Sequence, residues 1–295
     1  MSITLATLVT KTRTLLREPV AGFFTDAQIE QWLIEAQDLF TYRTECLRAI
    51  DSFATVAEVR DYALPARVIS FDKIAAIYYD QDRKLQYIDE PQWYSLTAYQ
   101  PYMSGDPEYY TLQDGRLHVW PVPNSTNSAA TTTLSAAIVG AGDTTATVVS
   151  NAVFPFNTGR VVIGSEVIEF RGRSGTASLL NLRRGLEDTT AVAHLLGATV
   201  TEQDIWVHHI RRPAVMSATI GTEIPDAYGY LLVNYAAAQG WAKRADQNMS
   251  RHWLTVWEAG LANAQNELLY PNSIRDRYPQ ILPYDAMPFG YYGRV

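Results

Sequence analysis

The apolar residues of this chain repeat at helical spacing near both ends and at strand spacing between them, so helices from opposite ends must flank a β-rich middle. Ser2 is placed to cap a first helix with Ile3, Leu5, Leu8, Val9, Thr12, Leu15 and Leu16 on one stripe. Pro19 and Gly22 mark the turn out of it. Thr25 and Gln28 have the spacing of a capping box, and Phe24 and Ile29 that of a hydrophobic staple. Ile29, Trp32, Leu33, Ala36, Leu39 and Phe40 then recur as a second helical stripe, and Cys46 reads as a small buried apolar residue at its end. Near the other end, Pro225 suits a helix start, with Asp226 in the first turn. Tyr228, Leu231, Leu232, Tyr235, Ala238 and Ala242 line one helix, in which Ala236, Ala237, Ala238 and Gly240 are small enough for another helix to come close. Asp246-Gln247-Asn248 breaks the run, and Met249, Trp253, Val256, Trp257, Leu261, Ala264 and Leu268 line the next. Each of these last two helices should be about 30 Å long. The four helices, over 1–50 and 223–270, are expected to pack as one bundle.

Short strands are expected from about residue 51: Ser52–Val56, Asp61–Leu64, Phe71–Tyr79 and, after the polar turn Asp80-Gln81-Asp82-Arg83, Lys84–Ile88. Pro91–Tyr99 suits a short helix. Tyr109–Leu112 and Arg116–Trp120 flank Asp114-Gly115, a strong short-range hairpin signal. Ile205–Ile210 returns to strand spacing, so 51–123 and 205–222 form a host β domain. Between its two parts, residues 124–133 have a linker's composition of Asn, Ser, Thr and Ala. The stretch 134–203 holds no Trp, Tyr or Cys but many small and β-branched residues. Its expected strands are Ala146–Val149, Arg160–Ile163, Glu166–Phe170, Ser178–Leu182 and Ala198–Thr201, with Gly164-Ser165 as a two-residue hairpin turn. Residues 130–204 therefore read as an inserted all-β module, and the chain as α+β.

The 25 residues 271–295 are a tail in which Pro271, Pro279, Pro283 and Pro288 forbid a long helix. Tyr278, Tyr284, Phe289, Tyr291 and Tyr292 make it a candidate partner-binding segment, against the plainer reading that it packs on its own domain. Charged residues are only 19% of the chain, below the roughly 25% usual in soluble domains, while Tyr numbers 18, Phe 9 and Trp 7. That balance suits surfaces covered by partners, although a large core with exposed tyrosines would also produce it. Arg160, Arg171, Arg173, Arg183 and Arg184 bias the module towards positive charge and are candidates for an outer partner; solvated arginines are the blander reading. The net charge of −7 lacks the basic footprint of a nucleic-acid grip, yet would suit the wall of a conduit.

Catalytic chemistry is not legible. His208 and His209 are adjacent in a strand and point to opposite faces, and His118, His194 and His252 have no histidine at metal-ligand spacing. Gly140-Ala141-Gly142 precedes a strand rather than a helix, so it is no phosphate loop. Glu166 and Glu169 lie at odd spacing in one strand, and Glu187-Asp188 reads as a solvated turn. No catalytic residue, metal ligand or cofactor is assigned. One cysteine cannot form an internal disulfide, no apolar run spans a membrane, and Met1-Ser2-Ile3-Thr4 does not open like a signal peptide; cytoplasmic synthesis and assembly are expected.

Several stretches, in order, resemble the phage head-to-tail adaptor family of the SU10 type. They are Phe24-Thr25-Asp26-Ala27-Gln28-Ile29-Glu30-Gln31-Trp32-Leu33, then Tyr62-Ala63-Leu64-Pro65, then Gly105-Asp106-Pro107-Glu108-Tyr109-Tyr110 leading to Leu117-His118-Val119-Trp120-Pro121-Val122-Pro123, and finally Ile224-Pro225-Asp226-Ala227-Tyr228 with Asn234-Tyr235-Ala236-Ala237-Ala238. Ile163-Gly164-Ser165-Glu166-Val167-Ile168, Arg184-Gly185, His194 and Gly197-Ala198-Thr199-Val200 resemble a small β module of phage structural proteins. The resemblance implies a non-enzymatic virion protein of the neck. It would form a twelve-fold ring between the portal protein and the lower-tail nozzle, with DNA only as transient cargo and no membrane anchor. The inserted module would face outward, towards a tail fibre or tailspike. Two alternatives stay open: a tail-completion or gatekeeper protein, and a carbohydrate-binding or enzymatic tail component acting near Glu166, Glu169 or His194.

Overall fold

The computed structural model describes residues 3–80, 82–100, 103–126 and 128–269. The chain opens with α1 (Leu5–Leu15) and α2 (Asp26–Thr44), then β1 (Arg48–Phe53) and β2 (Asp61–Ala63). A 3-10 turn (Phe71–Lys73) leads to β3 (Ile74–Tyr79), β4 (Arg83–Lys84), β5 (Gln86–Tyr87), α3 (Glu90–Tyr99), β6 (Tyr109–Gln113) and β7 (Arg116–Trp120). Next come β8 (Thr131–Thr133), β9 (Thr145–Thr147), β10 (Gly159–Ile163), β11 (Glu166–Phe170), β12 (Arg173–Ser174), β13 (Ser178–Leu180), β14 (Arg183–Leu186), β15 (Thr199–Glu202) and β16 (Ile205–Ile210). A second 3-10 turn (Asp226–Tyr228) precedes α4 (Gly229–Lys243) and α5 (Gln247–Leu269). The class is α+β, as expected, and the chain divides into two compact units, residues 1–47 with 212 onward and residues 48–211.

In the first unit, α1, α2, α4 and α5 share one core of Leu8, Leu16, Ile29, Leu33, Phe40, Leu231, Leu232, Trp257 and Leu261. The α2 capping box forms in both directions, Thr25 accepting from the Gln28 backbone and Gln28 from that of Thr25. Helix α1 is capped by Thr4, whose hydroxyl accepts from the Thr7 N–H; Ser2, the expected cap, lies outside the described residues. Pro225 leads into the 3-10 turn rather than into α4 itself. Helix α4 packs against α1, α2 and α5 and is buried on most of its circumference. The stripe of small residues has the use expected of it: a Cβ on Gly240 would lie 2.5 Å from Leu16 Cδ2, so α1 can cross there only over glycine. Helices α4 and α5 have 15 and 23 residues, about 22 and 34 Å rather than two equal lengths. Cys46 is half-buried and lies beyond α2, because Glu45 turns the backbone left-handed (φ 53°) and ends the helix.

The second unit holds two larger cores and a small cluster of Ile88, Trp93 and Trp120. Antiparallel β1-β16-β3-β4 faces the sheet β2-β7-β6-β5 across Ile77, Tyr79, Leu117, Val119, Ile205 and Val207. The β6–β7 hairpin turns on Asp114 and Gly115, both at positive φ, as the Asp-Gly pair predicts. Three strand expectations need correction, the first being Ser52–Val56, where the strand runs instead over Arg48–Phe53. Phe71–Lys73 is a 3-10 turn, so the strand begins only at Ile74. Lys84–Ile88 is not one returning strand: β4 pairs with β3, but β5 crosses to the other sheet and runs parallel to β6. Leu85 causes the switch, since its buried side chain sits between the two sheets.

Residues 130–200 build the other core, from Leu134, Ile138, Val148, Phe154, Val161, Ile163, Ile168, Phe170, Leu179 and Val200. It lies between the sheet β14-β11-β10-β15-β8 and the three-stranded sheet β12-β13-β9. The predicted linker is partly strand, since β8 pairs with β15 along Thr131–Thr133. Gly159 is required here: a Cβ would lie 2.3 Å from the ring of Phe170.

Candidate interaction site

The module's five arginines do not share one surface. Arg160 projects from β10 into the contact with β1, where its Nη1 donates to Ile50 O at 2.8 Å and to Glu187 Oε1 at 2.8 Å. Its guanidinium stacks 4.5 Å from the ring centroid of Trp206. Arg184 is buried and donates to both oxygens of Glu166, at 2.6 and 2.7 Å, and to the carbonyls of Gly140 and Val192. Arg160 and Arg184 are therefore interior residues, a correction to their reading as outer-partner contacts, because each guanidinium is covered and donates within the chain. Arg171 and Arg183 keep exposed side chains near Glu169, and Arg173 is half-buried, donating to Asn151 O and lying 5.5 Å over the Phe156 ring.

Glu166, Glu169 and Glu187 are likewise interior, whereas Asp188 is exposed. Glu166 is fully buried; burial would raise its pKa, but Arg184, His194 and the backbone N–H groups of Val192 and Gly185 outweigh that and hold it at about 2. His194 Nε2 lies 2.8 Å from Glu166 Oε2. Glu187 is no solvated turn residue: Ser52 Oγ donates to it at 2.6 Å, and burial pushes its pKa up. Asp188 pairs with Arg67, which also holds Asp51, and buried His209 lies 3.0 Å from Asp51. His208 is half-buried against Tyr78, across a register shift from His209. Glu166, Glu169 and His194 are thus all buried and paired, and among the described residues no three His, Cys, Asp or Glu side chains gather as a metal site.

A groove of about 1060 Å³ also lies in this unit. Its lining includes Asp80, Asp82, Asp106, Glu202 and Asp204 together with Val153, Phe154, Pro155 and Phe156. Burial lifts Glu202 to about 7 and Asp204 to about 6, although Asp204 accepts from the Thr55 N–H at 2.7 Å. Sequence reasoning missed this group, because its members come from three separate segments of the chain with no common spacing. Exposed apolar side chains are spread over both units. Val20, Phe23 and Tyr230 stand on the helical unit, and Phe71, Tyr87, Tyr94 and Tyr99 on the β unit, with Val139, Leu195 and Leu196 on the module. Tyr278, Tyr284, Phe289, Tyr291 and Tyr292 lie outside the described residues. No described helix is long and apolar enough to cross a membrane.

Many of the polar groups described thus pair within the chain, and a set of apolar and aromatic side chains stands exposed. Among curated proteins, none matches. The SU10 adaptor protein family matches over residues 3–158, more than half of the chain, from the helical N-terminus through the host strands to β7 and on past β8 and β9. The chain belongs to the SU10 adaptor protein family, whose members are structural proteins of phages.

Proposed function

We propose that this protein is a head-to-tail adaptor that acts as one copy in a ring of twelve, joining the portal to the lower-tail nozzle and passing DNA through the centre. The observation that carries this reading is the family match over residues 3–158. The helices of the first unit act as one bundle and, with the aromatic tail, dock on the portal. The host sheets face the nozzle, and the module over 130–204 stands on the outside, where a fibre or tailspike can attach. The exposed aromatic and aliphatic residues on both units supply contacts of the kind that close head-to-tail rings. The net charge of −7 suits a channel wall that repels DNA rather than holding it.

A gatekeeper differs from this reading only in its position in the stack. A carbohydrate-binding or enzymatic role near Glu166, Glu169 or His194 is disfavoured by their burial and pairing. The test is to mix purified protein with portal rings and image them by negative-stain electron microscopy. The expected result is an added ring of twelve subunits, lost on deletion of 271–295. Portal rings that stay bare would overturn the adaptor reading, and unchanged binding by the truncated chain would remove the tail from it.

A further inference from the structure

Strand β1 is the outermost strand of its sheet, paired on one side only, with β16. In an antiparallel pair, alternate residues turn their backbone groups towards the partner, and the residues between turn theirs away. Ile50 and Ser52 share the parity that faces away from β16. An open edge of this kind is a template for a further strand. Here it is already occupied, but by side chains. Arg160 Nη1 donates to Ile50 O at 2.8 Å, as a neighbouring strand's N–H would. The Glu187 carboxylate accepts from the Ser52 backbone N–H, as a neighbouring carbonyl would, and from Ser52 Oγ at 2.6 Å. Arg160 Nη1 and Glu187 Oε1 are themselves 2.8 Å apart, so donor and acceptor are held side by side. Both side chains are close to fully covered, 8% and 11% exposed, and the Arg160 guanidinium lies over the Trp206 ring, 4.5 Å from its centroid.

We propose that Arg160 and Glu187 act as a surrogate strand on the outer edge of β1 and close that edge to an extended segment from a second copy of this chain. A second β1 running antiparallel about Ile50 would set Arg48 against Ser52 and Ala49 against Asp51, so no like charges face each other. The guard thus covers an edge that could otherwise pair with itself about a two-fold axis. Such pairing would compete with any productive assembly of the chain. The same two side chains anchor the module to the host sheet.

The test uses the full-length chain and needs neither portal nor ring, so its outcome is independent of the adaptor reading. The double variant R160M/E187A removes both surrogate groups, while E187Q keeps an acceptor for the Ser52 N–H. Residue-resolved hydrogen exchange reads the edge directly. A labelled hexapeptide of residues 48–53, and the same peptide N-methylated at alternate residues, probe strand addition. In the double variant the Ser52 amide should exchange faster by about tenfold, the loss of one hydrogen bond, while Val207 in β16 keeps its protection. The plain peptide should bind that variant saturably and the N-methylated one should not; the natural chain and E187Q should bind neither. Unchanged Ser52 exchange, protection lost equally at Val207, no peptide binding to the opened edge, or equal binding of both peptides would each overturn the proposal.

Discussion

Glu166 and Glu202 are both buried carboxyls of the same module, and their environments push them in opposite directions. Glu202 accepts a backbone N–H from Ala130, but among the described residues no cation offsets its burial and the charges of Asp80 and Asp204 add to it, so its pKa rises to about 7. A raised folded pKa means that folding favours the protonated form. The stability that this protonation contributes is present below the unfolded value near 4.5 and is lost as pH rises through about 7. Glu202→Gln, which keeps the acceptor, should therefore be more stable than the natural chain at pH 8, by on the order of 3 kcal/mol, with the gap closing by pH 4.5. Urea melts at the two pH values check this. Glu166 has the reverse sign: its stabilisation is present above pH 4.5 and lost as pH falls through about 2. Glu166→Gln strands the buried Arg184 charge and should cost about 3–5 kcal/mol, and E166Q/R184M should recover part of that loss in the same melts. None of these partnerships is visible in the sequence, since Glu166 and Arg184 are separated by 18 residues with no spacing rule to join them.

At the scale of elements, local chemistry was enough for what is locally decided. The α2 capping box, the Asp114-Gly115 hairpin and the strands Arg116–Trp120, Glu166–Phe170 and Ile205–Ile210 fall where caps, turns and alternation put them. The exceptions are elements made by their neighbours. β8 exists because Thr131–Thr133 can pair with β15, and the short β5 exists because Leu85 turns into the core and carries Gln86 across to β6. Helix α4 joins the two cases: its small residues and the close helix they admit were legible, but that this helix is α1 was not. Gly240→Ala should push Leu16 and α1 outward and destabilise the helical unit by about 1–3 kcal/mol. Thermal unfolding followed at 222 nm would show it; an unchanged melting temperature would mean that α1 adjusts without strain.

At the scale of the whole molecule, the module has a core of its own from Leu134 to Val200, separate from the host core around Ile77 and Val207. Residues 130–203 expressed alone should therefore unfold cooperatively in denaturant, as a small domain with its own buried core does. A featureless, non-cooperative melt would mean that the host sheet is needed to hold it. The groove of carboxylates and the Arg160–Glu187 pair belong to this scale, because each takes residues from both the host strands and the module.

Periodicity, capping and turn residues are properties of neighbours along the chain, and from them the sequence by itself determined the α+β class, the helical ends and most strands. Which arginines reach solvent, which carboxyls hold their protons and where the backbone changes sheets were decided only in three dimensions. Burial and charge pairing depend on what the fold brings alongside a side chain, and a linear spacing does not carry that information.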